Sequence, residues 1–361
     1  MPPLLELRDA TRVYAGGGWL RKREPVVALD HVSFTIADDR PSITAIAGES
    51  GSGKTTLGHL LLGHLSPSSG QVLYHGKDLA TMTGDERMQF RRAVQPIFQD
   101  PFAAFNPFYR VDHVLRQPIR RFHLADGDRP AQQLIEQALE MVGLRPRETL
   151  GRFPHQLSGG QRQRIMVARA LLCRPKVILA DEPVSMVDAS LRATILASLQ
   201  RLNQEFGISV VYITHDLTTA YQISDNIIIL YRGSVAEAGS VERVVQDPHH
   251  PYTQLLISSI PVPDRKRRWV GEDLPEADAA PARQSVGCKF APRCKAVMEV
   301  CWQSPPPFYQ TSEDRVAACF LYQTCPILES SDVAQAFQNH SETGSRLADN
   351  ASDMPIGDRG S

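Results

Sequence analysis

Eight residues constrain the fold of this chain more than any others: Gly48-Glu49-Ser50-Gly51-Ser52-Gly53-Lys54-Thr55. An apolar, β-rich run, Ser42–Ala47, leads straight into them, and a helical pattern follows. The glycines allow backbone angles closed to other residues, so the loop can turn tightly and aim successive N–H groups at one point. Strand, glycine-rich loop and helix start together form a phosphate cradle, because a helix N-terminus favours anions. Gly48, Ser50, Gly51 and Gly53 provide the cradle. Lys54 provides a cation for the β- and γ-phosphates, and the Thr55 hydroxyl suits magnesium. Thr56, next in the same turn, is a further candidate contact. Such a loop belongs at the end of a buried strand in an α/β fold with a largely parallel sheet.

Further apolar runs supply the other strands: Val177–Ala180, Ile208–Ile213 and Asn226–Tyr231. Between two of them Leu191, Ile195, Leu199, Leu202 and Phe206 recur at helical spacing, with Gly207 at the C-cap position. Phe102–Glu148 carries helical patterns without a strong strand and reads as a helical insertion. Charge is balanced, 39 basic against 40 acidic residues, which argues against a nucleic-acid binder. No apolar run approaches the roughly 20 residues that span a bilayer. The N-terminus lacks the basic-then-apolar layout of a signal peptide. A cytosolic chain is expected, working at a membrane only through other chains.

Two more elements carry chemistry. Val177-Ile178-Leu179-Ala180-Asp181-Glu182 is an apolar strand that ends in two acids. Phosphoryl transfer needs mainly positioning and charge stabilisation, so a carboxylate beside a metal is sufficient apparatus. Leu157-Ser158-Gly159-Gly160-Gln161 precedes the helical run Gln161–Leu172 and makes a second anion-binding helix start.

In this order, the phosphate loop, the pentapeptide and the acidic strand end resemble the ATP-binding-cassette (ABC) ATPases. The resemblance implies a phosphate-loop NTPase of ABC type: a RecA-like core, an antiparallel β subdomain, a helical subdomain at about 100–170, and a small cysteine-rich C-terminal extension. It implies ATP and Mg2+ as cofactors. Asp181 then holds magnesium through water, and Glu182 is the general base. Gln99 senses magnesium and the lytic water, and His215 contacts the γ-phosphate. Asp188 lies in a loop that communicates across a dimer; here that loop reads Ser185-Met186-Val187-Asp188, where Ala-Leu more often precedes the acid. Tyr14, expected just after a first strand Leu4–Leu7, is the candidate adenine-stacking aromatic, with Trp19 as competitor. Ser158, Gly160 and Gln161 act in trans, closing over the nucleotide of a second ATPase, either a homologue or a second copy.

Within the family, three stretches resemble the dipeptide/oligopeptide importer branch, which also imports nickel, opines and some oligosaccharides. They are Phe98–Pro107, Arg152–Leu157 and His250-Pro251-Tyr252-Thr253-Gln254-Leu255-Leu256. The implied partners are two membrane permease subunits and an extracytoplasmic substrate-binding protein, with this chain at the cytoplasmic face of the cell membrane. Phe102, Phe105 and Phe108 fit either a docking surface for the permeases or core of the helical insertion. The alternative from another class is a non-transport ABC ATPase acting on ribosomes or DNA. Those usually have two cassettes in one chain or a long coiled-coil insertion, and this chain has neither.

The expected division is an ATPase domain at 1–260, a Pro-rich and charged linker at 261–285, a cysteine-rich region at 286–327 and a disordered polar tail at 328–361. Cys288, Cys294, Cys301 and Cys319 have the spacing C-x5-C-x6-C-x17-C. This is similar to the C-terminal region of importer ATPases, some of which carry a 4Fe-4S cluster, and four thiolates are the ligand set for one. Four-thiolate zinc, which usually uses closer cysteine pairs, and free thiols are the alternatives.

Overall fold

A computed structural model of the chain describes residues 2–15, 17–18, 21–22, 25–98, 105–185, 189–260 and 286–342. Gln99, Phe102, Asp188, Trp19, the linker 261–285 and residues 343–361 lie outside the described residues. Numbered along the chain, the strands are β1 (Leu5–Tyr14), β2 (Gly17–Gly18), β3 (Arg21–Lys22), β4 (Val26–Ile36), β5 (Ile43–Ala47), β6 (Ser69–Tyr74), β7 (Lys77–Asp78), β8 (Val94–Ile97), β9 (Val177–Asp181), β10 (Ser209–Ile213), β11 (Asn226–Tyr231), β12 (Ser234–Ser240), β13 (Tyr309–Ser312) and β14 (Arg315–Ala317). The helices of seven residues or more with α-helical geometry are α1 (Lys54–Leu61), α2 (Gly84–Ala93), α3 (Val111–Arg121), α4 (Asp128–Met141), α5 (Gly159–Leu172), α6 (Ala189–Phe206), α7 (Leu217–Ile223) and α8 (Pro251–Ser258).

The main sheet has the order β13-β14-β12-β11-β5-β10-β9-β8. From β11 to β8 its strands are parallel. Parallel strands are covered on both faces, so they read as unbroken apolar runs. Side chains still alternate. In β11, Ile227 and Ile229 enter one core, and Ile228 and Leu230 the other. The first core is filled from α3 to α7, with α5 packed on α3 and α4. The second is filled by α1 and by an antiparallel sheet of order β4-β1-β6-β7. Helix α6 ends where expected, with the Gly207 N–H donating to the Asn203 carbonyl at 3.0 Å.

Three features differ from the sequence expectation. The first strand does not stop at Leu7 but runs to Tyr14, pairing with β4 through irregular register. Charged Arg8 and Asp9 hide it in the sequence, because one face of this antiparallel sheet is partly solvated. Next, the cysteine-rich region is not a separate appendage. β14 pairs with β12, and β13 with β14, so the region continues the main sheet. Without it β12 would be an edge strand with unpaired backbone groups. Finally, residues 330–337, the described segment just after Glu329, pack rather than trail. Asp332 bridges to Ser33 in β4, Ser331 Oγ lies 3.0 Å from Ser33 Oγ, and Val333, Ala334 and Ala336 are buried. Phe337 packs against the same core, so a short apolar set docks an otherwise polar segment. No described helix is long and apolar enough to cross a membrane.

Candidate functional site

β5 delivers the glycine-rich loop to the end of the main sheet, and α1 carries it away. Two glycines are required by sterics as well as by backbone angle. A Cβ on Gly48 (φ 148°) would lie 2.2 Å from the Leu230 carbonyl oxygen, and one on Gly53 (φ 107°) 2.4 Å from that of Ala28. Lys54 is buried at the first turn of α1. Its Nζ donates to the carbonyls of Gly48 at 2.7 Å and Glu49 at 2.8 Å. Burial lowers the Lys54 pKa, and the carboxylates of Glu182, Asp181 and Glu49 oppose that shift. Ser50, Gly51 and Thr55 face outward around the loop, and Thr56 is half-buried.

Both acids arrive at the end of β9, which β10 separates from β5. Asp181 ends β9, and its pKa is raised first by burial and then by Glu182 beside it. Glu182 has φ 43°, a strained value for a residue with a side chain, and its N–H donates to the Ile213 carbonyl at 2.9 Å. His215 follows β10, which is paired to β9. With Nδ1 protonated, it donates to Glu182 Oε1 at 2.8 Å. The parallel register therefore brings Lys54, Asp181, Glu182 and His215 to one end of adjacent strands, where the sequence reading expected them. A buried cation, two crowded carboxylates and a histidine around a phosphate cradle can bind a triphosphate and orient a water against it.

Ser158 caps α5. Its Oγ accepts from the Gln161 N–H at 3.2 Å, and Gln161 Oε1 accepts from the Ser158 N–H at 2.9 Å. This reciprocal pair satisfies two orphan amides and holds the glycines of the pentapeptide at the helix start. Tyr14 is partly exposed, with the Arg12 guanidinium 5.0 Å from its ring centre.

The four expected cluster cysteines carry no disulfide; Cys301 and Cys319 are buried, Cys288 and Cys294 half-buried. The Met298 N–H donates to Cys301 Sγ at 3.5 Å, and the Ala291 N–H donates to the Cys288 carbonyl at 3.0 Å. Burial pushes the Cys319 thiol up to about 11, and the charges of Cys288, Cys294 and Cys301 add to that effect. Yet among the described residues no group of three or more His, Cys, Asp or Glu is placed to hold a metal ion. The expected cluster therefore has no ready-made ion cage behind it. Burial, with repulsion from neighbouring thiolates, raises the Cys288, Cys294 and Cys319 thiols above their ordinary value. Cys173 is core, as expected, with its thiol also pushed up to about 11 by burial.

Sequence reasoning missed a set of supports beneath the loop. The Glu49 N–H donates to the Tyr252 hydroxyl at 2.8 Å. Arg293 grips the Glu49 carboxylate with two bonds, at 2.9 and 3.0 Å. His250, buried at the N-cap of α8, accepts from the Tyr252 N–H at 3.0 Å. The string His250-Pro251-Tyr252 was visible as a branch marker, but nothing in it announced contact with a loop some two hundred positions earlier.

Comparison with known proteins agrees with this geometry. Residues 29–185 match the ABC transporter family, and residues 236–301 match the oligopeptide/dipeptide transporter C-terminal region. The chain is 37% identical over 333 residues to the putative oligopeptide transport ATP-binding protein YkfD of Bacillus subtilis, covering 91% of this chain and 98% of that protein. It is 36% identical over 325 residues to the oligopeptide transport ATP-binding protein AppF of the same organism, covering 88% and 97%. Among solved structures it resembles the dimeric post-hydrolysis state of the ATP-binding cassette MJ0796 bound to ADP and Pi. That likeness has a TM-score of 0.58 and 30% identity, over 66% of this chain and 98% of that one.

Proposed function

The chain belongs to the ATP-binding proteins of the ABC transporter family, and on that premise we propose that it is the ATP-hydrolysing subunit of an importer for peptides or solutes of similar size. The observation that carries the reading is the Glu182–His215 contact at 2.8 Å, set beside Asp181 and the buried Lys54 at the ends of β9, β10 and β5. Glu182 is the general base for the attacking water, and His215 orients it. Lys54 takes the β- and γ-phosphates once it exchanges its two carbonyl partners for phosphate oxygens. By the family resemblance Gln99 and Asp188, which lie outside the described residues, complete the site, and Tyr14 receives the adenine.

The donor set fits magnesium, an ion that takes few protein ligands and completes its shell with phosphate oxygens and water. Thr55 and Asp181 would hold it. The raised Asp181 pKa reflects a buried carboxyl crowded by Glu182, and a divalent cation relieves that repulsion. When bound, the ion neutralises charge on the phosphates.

One phosphate loop and one pentapeptide per chain support a head-to-tail pair of ATPases, with a homologue or a second copy, in which Ser158, Gly160 and Gln161 close the partner's site. Losing the γ-phosphate removes their differential contacts and opens the pair. Two membrane permeases, a substrate-binding protein outside the cell and a peripheral position on the cytoplasmic face complete the proposed assembly. For the C-terminal cysteines we favour a 4Fe-4S cluster. In a cluster each thiolate binds a different iron, so the thiols need not converge on one point. The Met298 N–H donating to Cys301 Sγ at 3.5 Å supports this, since such a bond stabilises a thiolate, and backbone N–H groups near Cys288, Cys294 and Cys319 oppose the burial that raises those thiols.

The function is tested with Glu182→Gln in the assembled transporter. ATP binding is retained, the closed dimer accumulates, and steady-state hydrolysis falls by about a hundredfold or more. Hydrolysis near the unsubstituted rate removes Glu182 from the general-base role.

A further inference from the structure

Glu49, the second residue of the phosphate loop, is held at all three of its polar groups. Its carbonyl accepts from Lys54 Nζ, its N–H donates to the Tyr252 hydroxyl, and its carboxylate is forked by Arg293. Two of these partners come from outside the residues that match the ABC transporter family, and both lie within the C-terminal region match. Arg293 ends a tight turn that starts just after Cys288 and runs into Cys294, with the Arg293 N–H donating to the Phe290 carbonyl at 2.9 Å. The turn is seated by Phe290, whose ring packs on Tyr231, Tyr252 and His250. The guanidinium lies 5.9 Å from the Tyr231 ring centre and 5.7 Å from that of Phe290, and one of its nitrogens is 3.5 Å from the Tyr231 hydroxyl. Its side chain is 12% exposed against 37% for Glu49. This is an anchored, bidentate pair rather than a loose surface contact.

The placement is costly to a phosphate site if left uncompensated. A free carboxylate one residue from Gly48 repels a triphosphate and is drawn to Lys54, the cation meant for the phosphates. Forking by Arg293 cancels that charge and fixes the direction of the side chain. We propose that Arg293 is a positioning residue of the nucleotide site. By forking Glu49 it keeps that carboxylate off the triphosphate and off Lys54, so ATP affinity depends on the folded turn between Cys288 and Cys294. The proposal rests on the nucleotide-site reading above and deepens it. Intactness of the cysteine turn becomes a condition for the ATPase to load.

The test is titration of the full chain with magnesium-ATP or magnesium-ADP by calorimetry. Arg293→Gln is expected to weaken binding about tenfold, and Arg293→Lys, which keeps the charge but loses the fork, about threefold. Arg293→Gln combined with Glu49→Gln is expected to return to within about threefold of the unsubstituted chain, because the uncompensated carboxylate is gone. Unchanged affinity in Arg293→Gln overturns the proposal. So does a double variant as weak as Arg293→Gln alone, which would mean that the arginine only folds its own turn. Lys54→Ala is the control: if it also binds normally, the nucleotide-site assignment itself fails.

Discussion

His250 shows how much one buried residue can decide. It caps α8, positions Tyr252 and so supports Glu49 in the phosphate loop. Burial lowers its pKa to about 4, against 6.5 for the free side chain. In the window between those values the unfolded chain binds the proton and the folded chain does not. Stability contributed by His250 is therefore complete above about pH 6.5 and is lost as the pH falls toward 4, on the order of 3 kcal/mol over the window. His250→Asn keeps an acceptor for the Tyr252 N–H but cannot titrate. Urea unfolding at a series of pH values should show a flatter acid limb in that variant. Equal limbs would assign the acid sensitivity to another group. None of this was legible in the sequence, where a histidine before Pro-Tyr looks like any loop histidine. Lys54 and Glu182, by contrast, were legible because their spacing to glycines and apolar strands is itself the signal.

At the scale of elements, α5 is the informative case. Its start is fixed by the reciprocal Ser158–Gln161 bonds, a pattern readable in the sequence as Ser-x-x-Gln before a helical run. Those bonds explain why the helix starts at Gly159 rather than two residues later. They do not involve this chain's own phosphate loop. Ser158→Arg should cost about 1 kcal/mol of capping stability, too little to unfold the chain, and should leave ATP binding to Lys54 intact. It should block the composite site on the partner ATPase, because a bulky cation fills the γ-phosphate seat. Mixed dimers carrying one altered subunit provide the measurement. If the lost site is the one holding the altered chain's own Lys54, the trans arrangement is wrong. β1 makes the opposite point: its charged middle obscured half its length, and only pairing with β4 and β6 extends it to Tyr14.

At the scale of the whole molecule, the C-terminal region is woven into the ATPase rather than attached to it. β14 extends the main sheet, residues 331–336 dock on β4, and Arg293 reaches the phosphate loop. The cysteines inherit this arrangement, since Cys288 precedes the Arg293 turn and Cys319 follows β14. If they hold a 4Fe-4S cluster, anaerobically purified chain should contain about four irons and be brown. Replacing any of Cys288, Cys294, Cys301 or Cys319 by Ser should bleach it, and Cys173→Ser or Cys325→Ser should not. Metal analysis that finds zinc and no iron after anaerobic handling would overturn the cluster and leave the ATPase reading untouched. The sequence by itself determined the α/β core, the phosphate loop, the acidic strand end and the capped pentapeptide. Each of these is a local pattern whose physics acts within about one strand-loop-helix unit. What only the tertiary structure decided are the contacts between distant segments: Glu49 with Arg293, β12 with β14, Ser33 with Asp332. Those depend on which strand edges and which buried charges are left needing a partner once the local units have packed, and no short window of sequence carries that information.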